Sequence, residues 1–290
     1  MSKVCIFPGQ GAQRVGMGKT LFDRYPQVEA EASAILGYSL RRLCLEDSER
    51  QLGQTQYTQP ALYTVNALHY RQHLADGGAP PTWAAGHSLG EYNALQAADV
   101  FDFATGLRLV QKRGELMGRV KGGGMLAVIG LHPLRVREIL DEAQLDSIDI
   151  ANFNTYEQVV LAGPREALDQ AAPRCEAAGA RHAMPLNVSA PFHSRYMAEA
   201  ARDFVAFLAS FTFNLPRFPV VANASALSYA TDIHTPLGRQ IDHPVRWIEC
   251  VEYLLRQGAH AFQEIGGQVL TPMIQKIRDQ SAFASAAEPA

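Results

Sequence analysis

The sequence predicts an α/β fold, a mainly parallel, helix-covered sheet interrupted by a smaller β-α-β-β-α-β unit of ferredoxin-like order. Three observations predict it. Short apolar runs alternate with helix-period segments from residue 4 to residue 120. Residues 125–188 then read strand, helix, strand, strand, helix, strand. Beyond them the alternation of helix and strand resumes.

Residues 4–7 make a short apolar strand that meets a loop containing Gly9, Gly11 and Gly16. Segment 60–74 places Leu62, Val65 and Leu68 at helical spacing. Residues 83–85 are a short buried strand ending at Gly86, followed by a helix over 92–98 and another over 106–120, with Leu107, Val110, Leu116 and Met117 inward. In the middle unit, strands at 125–130, 148–153, 158–162 and 181–188 alternate with helices at 133–143 and 166–178. A helix over 195–211, a strand over 218–223, a helix over 247–257 and a strand over 261–265 complete the pattern. The core thus takes residues 1–124 and 189–280 and the inserted unit 125–188. Residues 281–290, rich in Ala and Ser, read as a tail or linker.

At 47% hydrophobic and 19% charged residues, the chain is too apolar for disorder. Twenty-six Lys and Arg against 29 Asp and Glu give a net charge of −3 with no basic block, so bulk charge does not attract nucleic acid or a membrane surface. No apolar run approaches the roughly 18 residues of a membrane span. The first strand is too short for a secretory signal. Four scattered cysteines (Cys5, Cys44, Cys175, Cys250) form no CxxC pair, which argues against a disulfide scaffold and a zinc site and fits a cytoplasmic protein without a metal.

The sharpest local signal is Gly86-His87-Ser88-Leu89-Gly90-Glu91. A G-x-S-x-G between a strand and a helix is a nucleophile elbow: the glycines allow the sharp turn, and Ser88 Oγ projects from its corner. The same pattern also describes a glycine-bounded turn whose serine caps a helix. Phe7-Pro8-Gly9-Gln10-Gly11-Ala12-Gln13 is a second glycine loop, with neither the dinucleotide spacing nor the Walker lysine.

Together these two motifs resemble the malonyl-CoA:acyl carrier protein transacylases, which include the acyltransferases of polyketide synthases. The resemblance runs from Val4 to about Ile277. It extends through Gln59 in Thr58-Gln59-Pro60-Ala61, Arg113 in Arg113-Gly114-Glu115-Leu116-Met117, Asn152-Phe153-Asn154, His193 in Phe192-His193-Ser194, and Gln240 ahead of Pro244-Val245-Arg246-Trp247. Two places depart from the family pattern. Glu264-Ile265-Gly266-Gly267-Gln268 lacks a proline, and Tyr156-Glu157 replaces a Pro-Gly.

The resemblance implies an α/β-hydrolase-like core with the ferredoxin-like unit inserted, and an active site in the cleft between them. Ser88 would be the nucleophile and His193 its general base and later acid. Backbone N–H groups of Gln10 and Leu89 would form an oxyanion hole. A lipase-type enzyme would place an acid between Ser88 and His193, and Asp99, Asp102 and Asp169 satisfy that order. The resemblance implies instead a carbonyl holding the imidazole, with Gln240 near it. Arg113 would pair the free carboxylate of a malonyl group, assisted by Gln59. His87, Phe192 and Asn154 would line the pocket, with Phe192 crowding an α-methyl branch, so that malonyl is preferred over methylmalonyl.

The expected activity is [acyl-carrier-protein] S-malonyltransfer, from malonyl-CoA through a Ser88 ester to the phosphopantetheine thiol of an acyl carrier protein, in polyketide or fatty acid synthesis. No resident cofactor is expected, and the catalytic unit is expected to be a monomer, free-standing or within a longer polypeptide. An acidic carrier protein would meet basic residues near the cleft, with Arg41, Arg42 and Arg195 as candidates. Two rivals remain at this point. One is a serine hydrolase or thioesterase on the same elbow; the other is a non-catalytic acyl-CoA binding module.

Overall fold

The computed structural model describes residues 2–188 and 190–281, so of the expected tail only Ser281 falls within it. In chain order the elements are β1 (Ser2–Phe7), α1 (Lys19–Arg24), α2 (Pro26–Leu36), α3 (Leu40–Leu45), α4 (Thr55–Ala75), β2 (Trp83–Gly86), α5 (Gly90–Ala97) and α6 (Phe103–Arg119). Then come β3 (Gly124–Ile129), α7 (Pro133–Glu142), β4 (Asp149–Thr155), β5 (Gln158–Gly163), α8 (Arg165–Ala177) and β6 (His182–Pro185). A 3₁₀ turn (Arg195–Met197), α9 (Ala198–Leu208), β7 (Val220–Val221), α10 (His234–Arg239), α11 (Trp247–Arg256), β8 (Ala259–Glu264) and α12 (Leu270–Gln280) follow.

Four strands form a parallel sheet in the order β7-β2-β1-β8. Its pairing places Phe7 opposite Gly86, so both glycine loops leave the carboxyl ends of the two inner strands side by side. The approach is too close for side chains. A Cβ on Gly90 would lie 2.0 Å from the Phe7 carbonyl oxygen, and one on Gly86 would lie 1.9 Å from the Gly90 carbonyl carbon. These contacts, not turn geometry alone, require glycine on both sides of the serine.

The other four strands form an antiparallel sheet in the order β4-β5-β3-β6. Strand alternation gives it two faces. Leu126, Val128, Val159 and Leu161 belong to a separate apolar core under α7 and α8. Met125, Ala127 and Val160 face a cleft toward the parallel sheet. Val245 stitches the halves together, accepting from Phe153 N at 2.9 Å and donating to Ala151 O at 2.8 Å.

Several expected boundaries shift. Pro60 does not open its helix: α4 starts at Thr55 and carries the proline inside. As the sixth residue of the helix, Pro60 cannot donate to the Gln56 carbonyl, and the helix continues past it to Ala75. The helix expected over 195–211 splits into the 3₁₀ turn and the shorter α9. The strand expected over 218–223 retains only two ladder residues. Helices α1 to α3, α10 and α12 were not expected. For α12, the Glu264 carboxylate accepts from the Val269, Leu270 and Thr271 N–H groups. A carboxylate from the preceding strand thus satisfies the N–H groups at the start of α12.

Candidate active site

Ser88 occupies the turn between β2 and α5 with φ of 51°, a left-handed conformation held by its surroundings. Its N–H donates to Asn223 Oδ1 at 2.7 Å, while Asn223 Nδ2 donates to the Gly86 carbonyl at 2.7 Å. One asparagine side chain thus clamps both ends of the turn. The Gln10 loop packs directly on it: a Cβ on Gly9 would lie 2.3 Å from the His87 carbonyl oxygen and 3.5 Å from Leu89 N.

His193 is buried in a loop, also with positive φ (57°). Its Nδ1 lies 2.8 Å from the backbone oxygen of Gln240. A carbonyl can only accept, so Nδ1 carries the proton and Nε2 is the free acceptor. Nε2 lies 2.7 Å from Ser88 Oγ, and the serine hydroxyl donates to it. Burial first, and then the nearby Arg113, push the His193 pKa down to about 3, so the imidazole rests neutral with its Nε2 lone pair turned to the serine hydroxyl.

The side chain of Arg113 runs from α6 to the same point. It is 1% exposed, yet it has no carboxylate in direct contact. Nη1 donates to Gln59 Oε1 at 2.7 Å; Nη2 donates to Gln240 Oε1 at 2.8 Å and to Ser88 Oγ at 3.0 Å. Its guanidinium carbon lies 5.5 Å from the centre of the Tyr92 ring. Nε, fully buried, has no hydrogen-bond partner. A cation held only by neutral groups at the wall of a cleft is suited to an incoming anion.

These groups open into a cleft of about 260 Å³ between the two sheets. Gln10, His87, Asn154 and Phe192 also line it. His87 does not turn toward Ser88. Its Nε2 lies 2.8 Å from Asn154 Oδ1 and its ring meets Trp247 edge-on, with ring centres 5.5 Å apart. Burial lowers its pKa, which keeps it neutral as a wall residue. The Gln10 side chain turns away to Thr55 Oγ1 at 3.2 Å.

None of the three candidate acids reaches His193. Asp99 pairs with Arg217 at 2.6 Å, Asp102 caps α6 through Thr105 N at 2.7 Å, and Asp169 is exposed on α8. Nor are the three candidate docking arginines unpaired. Arg41 meets Asp23 at 2.5 Å, Arg42 meets Glu46 at 3.7 Å, and Arg195 grips Asp149 with Nε and Nη2.

Sequence reasoning assigned nothing to Glu91, Asn223 or Tyr229, all of which are buried around the serine turn. Glu91 stands three residues past Ser88, close to one helical turn, and that spacing was its local signal of nearness to the serine. Asn223 lies 135 residues from the turn it clamps, and no local pattern marks it.

The acyl transferase domain family matches residues 4–267. The polyketide biosynthesis malonyl CoA-acyl carrier protein transacylase PksC of Bacillus subtilis is 47% identical over 94% of this chain and 96% of its own length. Polyketide biosynthesis protein PksE of the same organism is 48% identical over 95% of this chain, which spans only 36% of PksE. A crystal structure of malonyl CoA-acyl carrier protein transacylase from Burkholderia pseudomallei superposes with a TM-score of 0.92 at 44% identity, covering 97% of this chain and 99% of that one. With its sheet order, serine turn and buried arginine, the chain belongs to the acyl transferase domain family, among the malonyl CoA-acyl carrier protein transacylases.

Proposed function

We propose that the chain moves a malonyl group from malonyl-CoA to the phosphopantetheine thiol of an acyl carrier protein, for polyketide or fatty acid synthesis. One observation carries the reading: Ser88 Oγ lies within hydrogen-bond reach of both a neutral imidazole (2.7 Å) and a buried guanidinium (3.0 Å). The first activates a hydroxyl; the second matches an acyl group that ends in a carboxylate.

In this reading His193 Nε2 takes the Ser88 proton as Oγ attacks the thioester carbon. The tetrahedral oxyanion forms against the N–H groups of Gln10 and Leu89, donors worth roughly 10²–10³ in rate. The C–S bond breaks, and the imidazolium returns the proton to the departing thiolate. The carrier thiol then enters, gives its proton to His193 and attacks the Ser88 ester, and the serine leaves as the hydroxyl. One imidazole serves both halves, and because the thiolate of CoA leaves the Ser88 ester before the carrier thiol attacks it, kinetics are ping-pong. The Gln240 carbonyl orients the imidazole throughout. Arg113, with Gln59, binds the malonyl carboxylate, while Phe192 narrows the cleft against an α-methyl branch.

The fold supports a matching division of labour. The parallel sheet with its strand-turn-helix serine supports an α/β-hydrolase-like core over 1–124 and 189–280. The order β4-β5-β3-β6 with two crossing helices supports a ferredoxin-like subdomain over 125–188. Among the described residues no helix is long and apolar enough to cross a membrane, and we place the activity in the cytoplasm.

Intact-mass measurement after mixing with malonyl-CoA tests the reading. A malonyl adduct on the wild type that a carrier-protein thiol removes, and no adduct on Ser88→Ala, is the expected result. Rapid release of free malonate would make the protein a hydrolase. Acylation of the Ala variant would place the nucleophile elsewhere.

A further inference from the structure

Among the described residues, Glu91 is the only buried carboxylate. It does not line the cleft, so it does not touch the acyl group. Its Oε2 accepts from Gln240 Nε2 at 2.8 Å and from Asn223 N at 2.9 Å, and its Oε1 accepts from the Tyr229 hydroxyl. Two of these three donors, Gln240 and Asn223, also hold the serine turn, through the Ser88 carbonyl and the Ser88 N–H.

The contact with Gln240 has the furthest consequence. A glutamine amide fits the same space after a half-turn, with its oxygen and nitrogen exchanged. Here each end meets a group that allows one orientation. The Glu91 oxygen accepts and so selects Nε2; Arg113 donates and so selects Oε1. In that orientation Nε2 also donates to the Ser88 carbonyl at 2.9 Å, while the backbone oxygen of the same residue holds His193 Nδ1 at 2.8 Å. Half a turn of the amide would aim an NH₂ at the guanidinium, donor against donor.

We propose that Glu91 is a positioning residue, which locks the Gln240 amide and thereby holds Arg113 and His193 in register with Ser88. The inference rests on the acyl-transfer reading and names the residue that organises its site. It requires an acceptor oxygen at this reach, not a negative charge. In support, burial pushes the Glu91 carboxyl up to about 7, so its neutral form is accessible near neutral pH.

Two substitutions separate reach from charge. Glu91→Gln keeps the length and an acceptor oxygen, with its NH₂ free to face the Tyr229 hydroxyl. Glu91→Asp keeps the charge but shortens the side chain by one methylene. Acylation rates are measured per Ser88 able to form the ester, so lost folding does not count. Glu91→Gln is expected to stay close to wild type. Glu91→Asp is expected to lower malonyl acylation roughly 10- to 100-fold, as small misplacements of reacting groups do. It should also lower the malonyl-to-acetyl ratio, because Arg113 loses its fixed anchor. Gln240→Ala, which removes the other end of the same bond, should reproduce that drop in ratio, and Glu91→Asp in that background should add almost nothing. The opposite ranking of Gln and Asp, an unchanged ratio in Gln240→Ala, or equal losses from Glu91→Asp in both backgrounds would each overturn the proposal. Should the wild type form no Ser88 ester at all, the acyl-transfer reading fails first. If it forms one and Glu91→Asp forms it as fast, only the positioning role is lost.

Discussion

Around the parallel sheet, Arg113, Gln240, Glu91 and Asn223 are each at most 1% exposed and are linked to one another by hydrogen bonds. The antiparallel sheet is built the other way. Its sealed face is wholly apolar, and its charges stay outside, as in Arg135 with Glu138 and Glu142. A buried polar network tolerates little loss, because each unpaired member bears its full desolvation cost. An apolar core tolerates more, since its contacts are many and non-directional. The first region should therefore fail in chemistry and the second in stability.

The largest effect is expected at His193. His193→Ala should slow both acylation and transfer by roughly 10²–10⁴-fold, the usual range for a lost general acid–base. Stopped-flow or quench measurements of each half-reaction check this; a variant that acylates normally would move the role to another histidine. The same residue makes the site pH-sensitive in a defined direction. Its pKa falls from 6.5 to about 3 on folding. Between those values the unfolded chain binds a proton that the folded site refuses. Stability from the neutral imidazole is thus present above about 6.5 and lost as pH falls toward 3. Arg113 contributes to that depression, so Arg113→Ala should move the acid limb of acylation to higher pH.

Arg113→Ala comes next. Removing one side of a buried charge pair costs roughly 2–5 kcal/mol. At ~1.4 kcal/mol per tenfold, malonyl kcat/KM should fall about 30- to several-thousand-fold. Acetyl-CoA has no carboxylate to lose, so the informative quantity is the ratio of malonyl to acetyl kcat/KM. Arg113→Lys should recover only part of it, because an ammonium keeps the charge without the planar fork. Equal losses on both substrates would make Arg113 a structural support.

The same contrast explains what could be read from the sequence. The two glycine loops, Ser88, Arg113 and His193 lie in short motifs whose local chemistry is distinctive, and the structure brings them to one point. The middle unit was legible because alternation and helical period are local. Asn223 and Tyr229 were not, since they meet Ser88 and Glu91 only after the chain has crossed the sheet and returned. Pro60 misled because a proline early inside a helix looks the same as one that opens it. The amphipathic α12 was missed because its cap is supplied by Glu264, on the strand before it.

The smallest effect on chemistry is expected from the sealed face of the antiparallel sheet. Leu161 and Val160 are neighbours on β5 but point to opposite sides, Leu161 into the core under α7 and α8 and Val160 into the cleft. Leu161→Ala removes a fully buried side chain and leaves a cavity, a change that typically costs about 2–5 kcal/mol. The urea midpoint should fall accordingly. Acylation per folded molecule should not change, because no Leu161 atom borders the cleft or the hydrogen bonds around Ser88. Val160→Ala should do the reverse. It widens the cleft that Ser88, Arg113 and His193 also line, so it should alter selectivity among acyl-CoA substrates at a smaller loss of stability. If Leu161→Ala slowed acylation of the folded protein as much as it lowered stability, the antiparallel unit would be shaping the chemistry through its own core, and the contrast between the two sheets would not hold.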